Sequence, residues 1–151
     1  MRREGMIQGK KRRIAGLLMM AAAGMVSLPL TTSLAASFDG NWDVVVICPA
    51  EPNGAKAFTL RYKAEVKNSV IHGQYGTKDQ PGSQSIDGQI EPNGTAMLTA
   101  SGLVGNPEVA YKQKRENHQY NYKVSARFEG NKGTGSRQQD RSCSFSFARK
   151  S

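Results

Sequence analysis

In Phe58–Lys67, apolar and polar residues alternate without a break. Phe58, Leu60, Tyr62, Ala64 and Val66 fall on one face, and Thr59, Arg61, Lys63, Glu65 and Lys67 on the other. Tyr120–Glu129 repeats the pattern, with Tyr120, Tyr122, Val124, Ala126 and Phe128 opposing Asn121, Lys123, Ser125, Arg127 and Glu129. A two-residue period puts successive side chains on opposite faces of an extended chain, so each segment reads as a strand with one buried face. A helix would scatter the same residues around its axis, because it gathers positions three and four apart.

Further strand signals lie on either side. Ser142–Arg149 sets Cys143, Phe145 and Phe147 against Ser142, Ser144 and Ser146, and Thr95–Val104 carries Ala96, Leu98 and Ala100 on one side. Val70–Tyr75, Ser85–Glu91 and Gly133–Gln139 are shorter or more polar. Trp42–Cys48 is a nearly continuous apolar run and reads as a strand covered on both faces. Between these segments stand turn residues: Pro52-Asn53-Gly54, Pro92-Asn93-Gly94, Asn68-Ser69 and Gly130-Asn131. Asn-Gly accepts the positive φ angles of tight hairpin turns. No segment after Ala36 has a helical period.

The first 36 residues differ in kind. Arg2, Arg3, Lys10, Lys11, Arg12 and Arg13 precede an apolar run from Ile14 to Leu30, and Thr31-Thr32-Ser33-Leu34-Ala35-Ala36 follows it. Basic, apolar and small-residue segments in that order are the pattern of a secretory signal peptide, with cleavage expected after Ala35 or Ala36. The apolar run is at the short end of the roughly 17–25 residues that span a bilayer, and Pro29 interrupts it. The expected organisation is a signal peptide over 1–36 and one β-domain over 37–151, periplasmic or secreted, with no membrane span after cleavage. Export also corrects the charge. Taking six basic residues and Glu4 from totals of 21 and 12 leaves 15 and 11, a net charge of +4 rather than +9. That moderate excess does not call for a nucleic-acid partner.

Cys48 and Cys143 both lie in the mature part, where an even count in an exported chain reads as a disulfide. The bond requires Cα atoms within about 7 Å. Cys48 ends the first strand and Cys143 lies in the last, so those strands must meet. Short sequential strands joined by hairpins form a meander, and about eight can close on themselves. The expected fold is all-β, a small antiparallel meander barrel of about eight strands closed by one disulfide. A β-sandwich is the alternative.

Phe38-Asp39-Gly40-Asn41-Trp42, the early cysteine, Val66–Gly73, Ile86–Gly94 and the Cys-x-Phe-x-Phe-x-Arg ending together resemble a group of small exported bacterial β-domain proteins of unassigned function. Gly40-x-Trp42 is also similar to the opening of calycin-type barrels such as lipocalins and avidins. That resemblance implies a Trp42 that closes one barrel end, with a basic residue, Arg149 or Arg141, packed over it. It also implies a small-ligand carrier. Bacterial protease inhibitors built on one-disulfide barrels share the opening, but they plug their target with an N-terminal segment. Here only a residue or two would precede Phe38.

Catalytic groupings do not emerge. His72 and His118 lack partners at ligand spacing, the carboxylates are scattered, and no serine stands in a nucleophile motif. No metal site, cofactor or enzymatic activity is expected. Two features suit binding. Inward-facing Trp42, Phe58, Tyr62, Tyr122, Phe128, Phe145 and Phe147 either pack a core or line a cavity for a small apolar ligand. The segment Gly105–His118 gathers Lys112, Lys114 and Arg115 around Tyr111, as a solvated loop or as a contact for an extracytoplasmic protein. The leading expectation is a non-enzymatic exported binding or interaction domain. A calycin-type ligand carrier and an inhibitor of a secreted hydrolase stand behind it.

Overall fold

The computed structural model describes residues 37–137 and 139–151; the expected signal peptide lies outside the described residues. Eight strands follow in chain order: β1 (Gly40–Cys48), β2 (Phe58–Lys67), β3 (Val70–Tyr75), β4 (Gln84–Gln89), β5 (Thr95–Leu103), β6 (Gln119–Glu129), β7 (Lys132–Arg137) and β8 (Cys143–Arg149). Each pairs antiparallel with the next, and β1 pairs with β8 as well as β2, so the sheet is a closed barrel. Closure leaves no free sheet edge, and it replaces the sandwich alternative. The only helical turns among the described residues are two short 3₁₀ segments, Pro107–Val109 and Tyr111–Gln113.

One strand differs from its sequence reading. The apolar run of β1 is not covered on both faces: Val44, Val46 and Cys48 point inward, whereas Ile47 is 49% exposed. A single closed sheet has one interior, so the outward Val45 and Ile47 have nothing to pack beneath. The cysteines do meet as expected. Cys48 and Cys143 are joined by a disulfide across a sequence separation of 95 residues.

The turns use their residues in two ways. In both Glu-Pro-Asn-Gly stretches only the glycine has positive φ, +94° at Gly54 and +86° at Gly94. Asn53 and Asn93 instead accept hydrogen bonds on their side chains, from the backbone N–H of Ala55 at 3.1 Å and of Thr95 at 3.0 Å. The β2–β3 turn, by contrast, holds two non-glycine residues at positive φ, Asn68 and Ser69. The Asp39 carboxylate accepts from both of their backbone N–H groups, at 2.9 and 3.0 Å. That anchor offsets the steric cost of the conformation.

All the turns between β2 and β3, β4 and β5, and β6 and β7 are tight, and they cluster at one end of the barrel with Phe38 and Trp42. The long connections, residues 49–57, 76–83, 104–118 and 139–142, gather at the other. The tight-turn end is filled. Trp42 meets Phe128 edge-on at 5.4 Å, Phe128 packs on Phe147 at 4.9 Å, and Phe38 tucks against Phe128 at 6.0 Å. Full burial of each such ring is worth on the order of 2 kcal/mol, so this cluster is a main anchor of the fold. Inward Gly133 makes room for it: a Cβ there would sit 2.7 Å from the Phe128 ring and 3.2 Å from the Phe147 Cβ.

Candidate functional site

Inside the end that carries the long connections, the packing stops. A cleft of about 670 Å³ opens among the loops. Its walls are Phe58 and Leu60 from β2, Tyr75 from β3, Leu103 from β5 and the loop residues Val104, Val109, Ala110 and Tyr111. Volume and lining match those of small-molecule sites, which are mostly apolar with a few placed polar groups.

The polar groups are built from strand alternation. Gln84 precedes Ile86 by two residues on β4 and therefore shares its inward face, where it is only 2% exposed. A buried amide needs partners. Its nitrogen donates to the Tyr62 hydroxyl at 3.1 Å, while the Tyr122 hydroxyl donates to its oxygen at 3.0 Å. The Tyr120 hydroxyl lies 3.4 Å from that same oxygen and donates to the Ser83 carbonyl at 3.1 Å. One glutamine thus organises three phenols from β2 and β6 into a polar floor. Burial pushes all three phenols above their ordinary pKa, Tyr122 up to about 12, so they are neutral donors and acceptors at physiological pH.

Two arginines frame the floor, and they differ. Arg141 is buried, and its guanidinium donates to the carbonyls of Val109 at 2.6 Å, Lys56 at 2.8 Å, Cys48 at 3.4 Å and Pro49. It binds three connections together and is consumed in doing so; burial pulls its pKa below the ordinary range. Its Nε is the one buried side-chain polar atom without a partner among the described residues. Arg137, inward on β7 two residues beyond Gly135, lays its guanidinium 4.0 Å from the centroid of the Tyr122 ring and borders the cleft. The side chain is 13% exposed, and its Nε donates to the Gln139 carbonyl at 2.8 Å.

The expected site residues divide between the two ends. Tyr122 lines the floor of the cleft, and Tyr62 lies in the core behind it, hydrogen-bonded to Gln84. Trp42 is at the opposite end, fully buried, with its indole N–H donating to the Phe38 carbonyl at 2.9 Å. Arg149 is its cross-strand partner and donates to the carbonyls of Ser37 at 3.3 Å and Asp39. The guanidinium lies against Gly40, whose φ of +137° and missing Cβ let it approach to contact. Arg149, not Arg141, is the arginine beside the Trp42 end. The aromatic set therefore splits, with Trp42, Tyr62, Phe128, Phe145 and Phe147 in the core and Phe58 and Tyr122 on the cleft.

The loop candidate is part of the same cleft. Tyr111 and Lys114 line it, and Lys112 stands 5.3 Å over the Tyr111 ring. Arg115 is exposed and is not among the lining residues. The loop is pinned: the Lys56 N–H donates to the Glu108 carbonyl at 2.7 Å, and the Lys56 ammonium pairs with the Glu108 carboxylate at 3.0 Å. Sequence reasoning missed Gln84, Tyr75 and Arg137. Extending the alternation back from Ile86 by two would have found Gln84, and forward from Gly133 and Gly135 would have found Arg137.

No group of three metal-ligating side chains occurs among the described residues, and none of their helices is long and apolar enough to cross a membrane. Set against known proteins, the chain matches no family model, and no curated protein resembles it significantly.

Proposed function

We propose that the protein is an exported, non-enzymatic binding barrel that takes one small, largely apolar ligand in the cup at its long-loop end. The observation that carries this reading is the uneven filling of the interior. Trp42, Phe128 and Phe147 pack one half solid, whereas Phe58, Leu60 and Tyr122 face a cleft of about 670 Å³. A barrel of about eight strands has room for either outcome, and this chain divides its interior between them. The disulfide and the basic–apolar–small leader support an oxidising, extracytoplasmic location. The pinned 104–118 loop serves as a wall of the cup, which favours a ligand over a protein partner gripped by the loop alone.

The test is binding of the apolar dye N-phenyl-1-naphthylamine to the mature domain, followed by fluorescence. One dye per barrel is expected, with loss in Ala110→Phe, which fills the cleft from its loop wall. Unchanged far-ultraviolet circular dichroism in the variant keeps the comparison valid. No dye binding to the native domain, or equal binding to Ala110→Phe, would refute the reading.

A further inference from the structure

We infer that the natural ligand is an organic acid: an apolar body held by Phe58, Leu60 and Tyr75, with an anionic head group at Arg137. This rests on the cup being a ligand site and names the chemistry it selects.

The charge inventory of the cleft comes first. Its lining contains Lys114, Arg137 and Arg141 against one carboxylate, Asp140. Apolar walls weaken screening, so an excess of positive charge acts more strongly there than on an open surface. A cationic ligand would meet that excess, and a neutral one would leave it uncompensated.

Arg137 is the group placed to use it. A guanidinium has five N–H donors, fixed in a plane. One is taken by the Gln139 carbonyl at 2.8 Å. The Asp140 carboxylate forms an ion pair with it at 3.6 Å, a contact too long to occupy one of those donors. No other acceptor is placed on Arg137 among the described residues, although the side chain is 13% exposed. Stacking on Tyr122 holds the plane still, so little rotamer freedom remains to be lost when an anion arrives. Arg141 differs, because both of its terminal nitrogens already donate to backbone carbonyls and only its buried Nε is left without a partner. It contributes mainly field, with no pair of free donors to grip an anion.

The rest of the floor suits such a head group. The Tyr122 hydroxyl spends its proton on Gln84 and is held beside Arg137 by the ring stack. Tyr120 lies parallel to Tyr122, with ring centroids 5.9 Å apart, and completes an aromatic wall for a flat or extended apolar body.

Two dyes of nearly the same shape provide the test: 1-anilinonaphthalene-8-sulfonate and N-phenyl-1-naphthylamine, which lacks the sulfonate. The native mature domain is expected to bind the sulfonate about 10- to 100-fold more tightly, the range a charge-assisted hydrogen bond supplies. Raising the salt concentration should narrow the gap by weakening the sulfonate alone. Arg137→Gln should bring the two affinities together, and Arg137→Lys should restore part of the difference. Lys114→Gln, at the exposed rim, should change the ratio much less. Equal affinity in the native domain, or a preference that survives Arg137→Gln, would overturn the acid assignment and leave the cup standing. Failure of both dyes to bind would instead remove the cup reading and this inference with it. The native ratio and its salt dependence decide the matter even if Arg137→Gln does not fold.

Discussion

Gln84 and Tyr122 meet inside the barrel, 3.0 Å apart, the phenol donating to the buried amide oxygen. This contact ties β4 to β6, two strands with β5 between them in the sheet, across the interior at the depth where solid packing gives way to the cleft.

Replacing Gln84 with Met keeps the volume and removes every polar partner it offers. The Tyr122 hydroxyl then has no acceptor in a buried setting, and the Tyr62 hydroxyl loses its donor. An expected loss of about 2 kcal/mol follows from leaving buried polar groups unpaired. Tyr122→Phe should cost about 1 kcal/mol, since it removes one hydrogen bond and leaves the amide its other contacts. Urea unfolding of the two variants checks the order.

Reduction of the disulfide frees a chain held across 95 residues. Loop-closure entropy predicts a loss of about 3–5 kcal/mol on Cys48→Ala with Cys143→Ala, compared with the oxidised protein. Unfolding with and without reductant measures it in the native sequence. A denatured mass lighter than the reduced chain by two hydrogens confirms the bond.

Gly133→Ala should be destabilising by about 1–3 kcal/mol through overpacking. Its added methyl would lie 2.7 Å from the Phe128 ring, which is already fixed between Trp42, Phe38 and Phe147. Gly130→Ala is the control, because no atom lies within 4 Å of the Cβ position and any effect must come from its backbone, with φ at +56°. Thermal unfolding of the pair separates packing from turn strain.

Alkaline and acid stability should fail for different reasons. The folded pKa values of Tyr62, Tyr120 and Tyr122 are raised, by burial above all. Their contribution is therefore full below the unfolded value near 10, and it is lost as pH rises toward about 12 for Tyr122. Absorbance at the phenolate band should show these three ionising together with unfolding. Asp39 has the opposite sign. The N–H groups of Ser69 and Asn68 hold its carboxyl below the usual 3.8, so its contribution is present above that value and fades as pH falls through the lower folded one. Asp39→Asn should lower the melting temperature at neutral pH and reduce its fall in acid. An unchanged acid limb would remove Asp39 from this role.

The strands were legible because burial against a single sheet imposes a period of two, and β2 and β6 display it over their whole length. Closure was legible through Cys48 and Cys143, since a covalent bond between the ends of a meander leaves few topologies. The same reasoning erred on β1, where hydrophobicity overstated burial: Ile47 is apolar and exposed.

Local pattern, then, determined which residues face inward, and even the hidden Gln84 and Arg137 obey it. What alternation does not encode is depth along the barrel axis. Trp42 and Tyr122 share the inward face of their strands, yet one is sealed beneath Phe38 and the other borders a cleft. That difference comes from strand stagger and from which end receives the tight turns. Both are set by pairings such as Trp42 with Arg149 and Ala100 with Tyr122, between residues distant in the chain. Only when those registers lock together do Tyr62, Gln84, Tyr122 and Arg137 arrive at one level, because the closed sheet, rather than any one segment, fixes their heights.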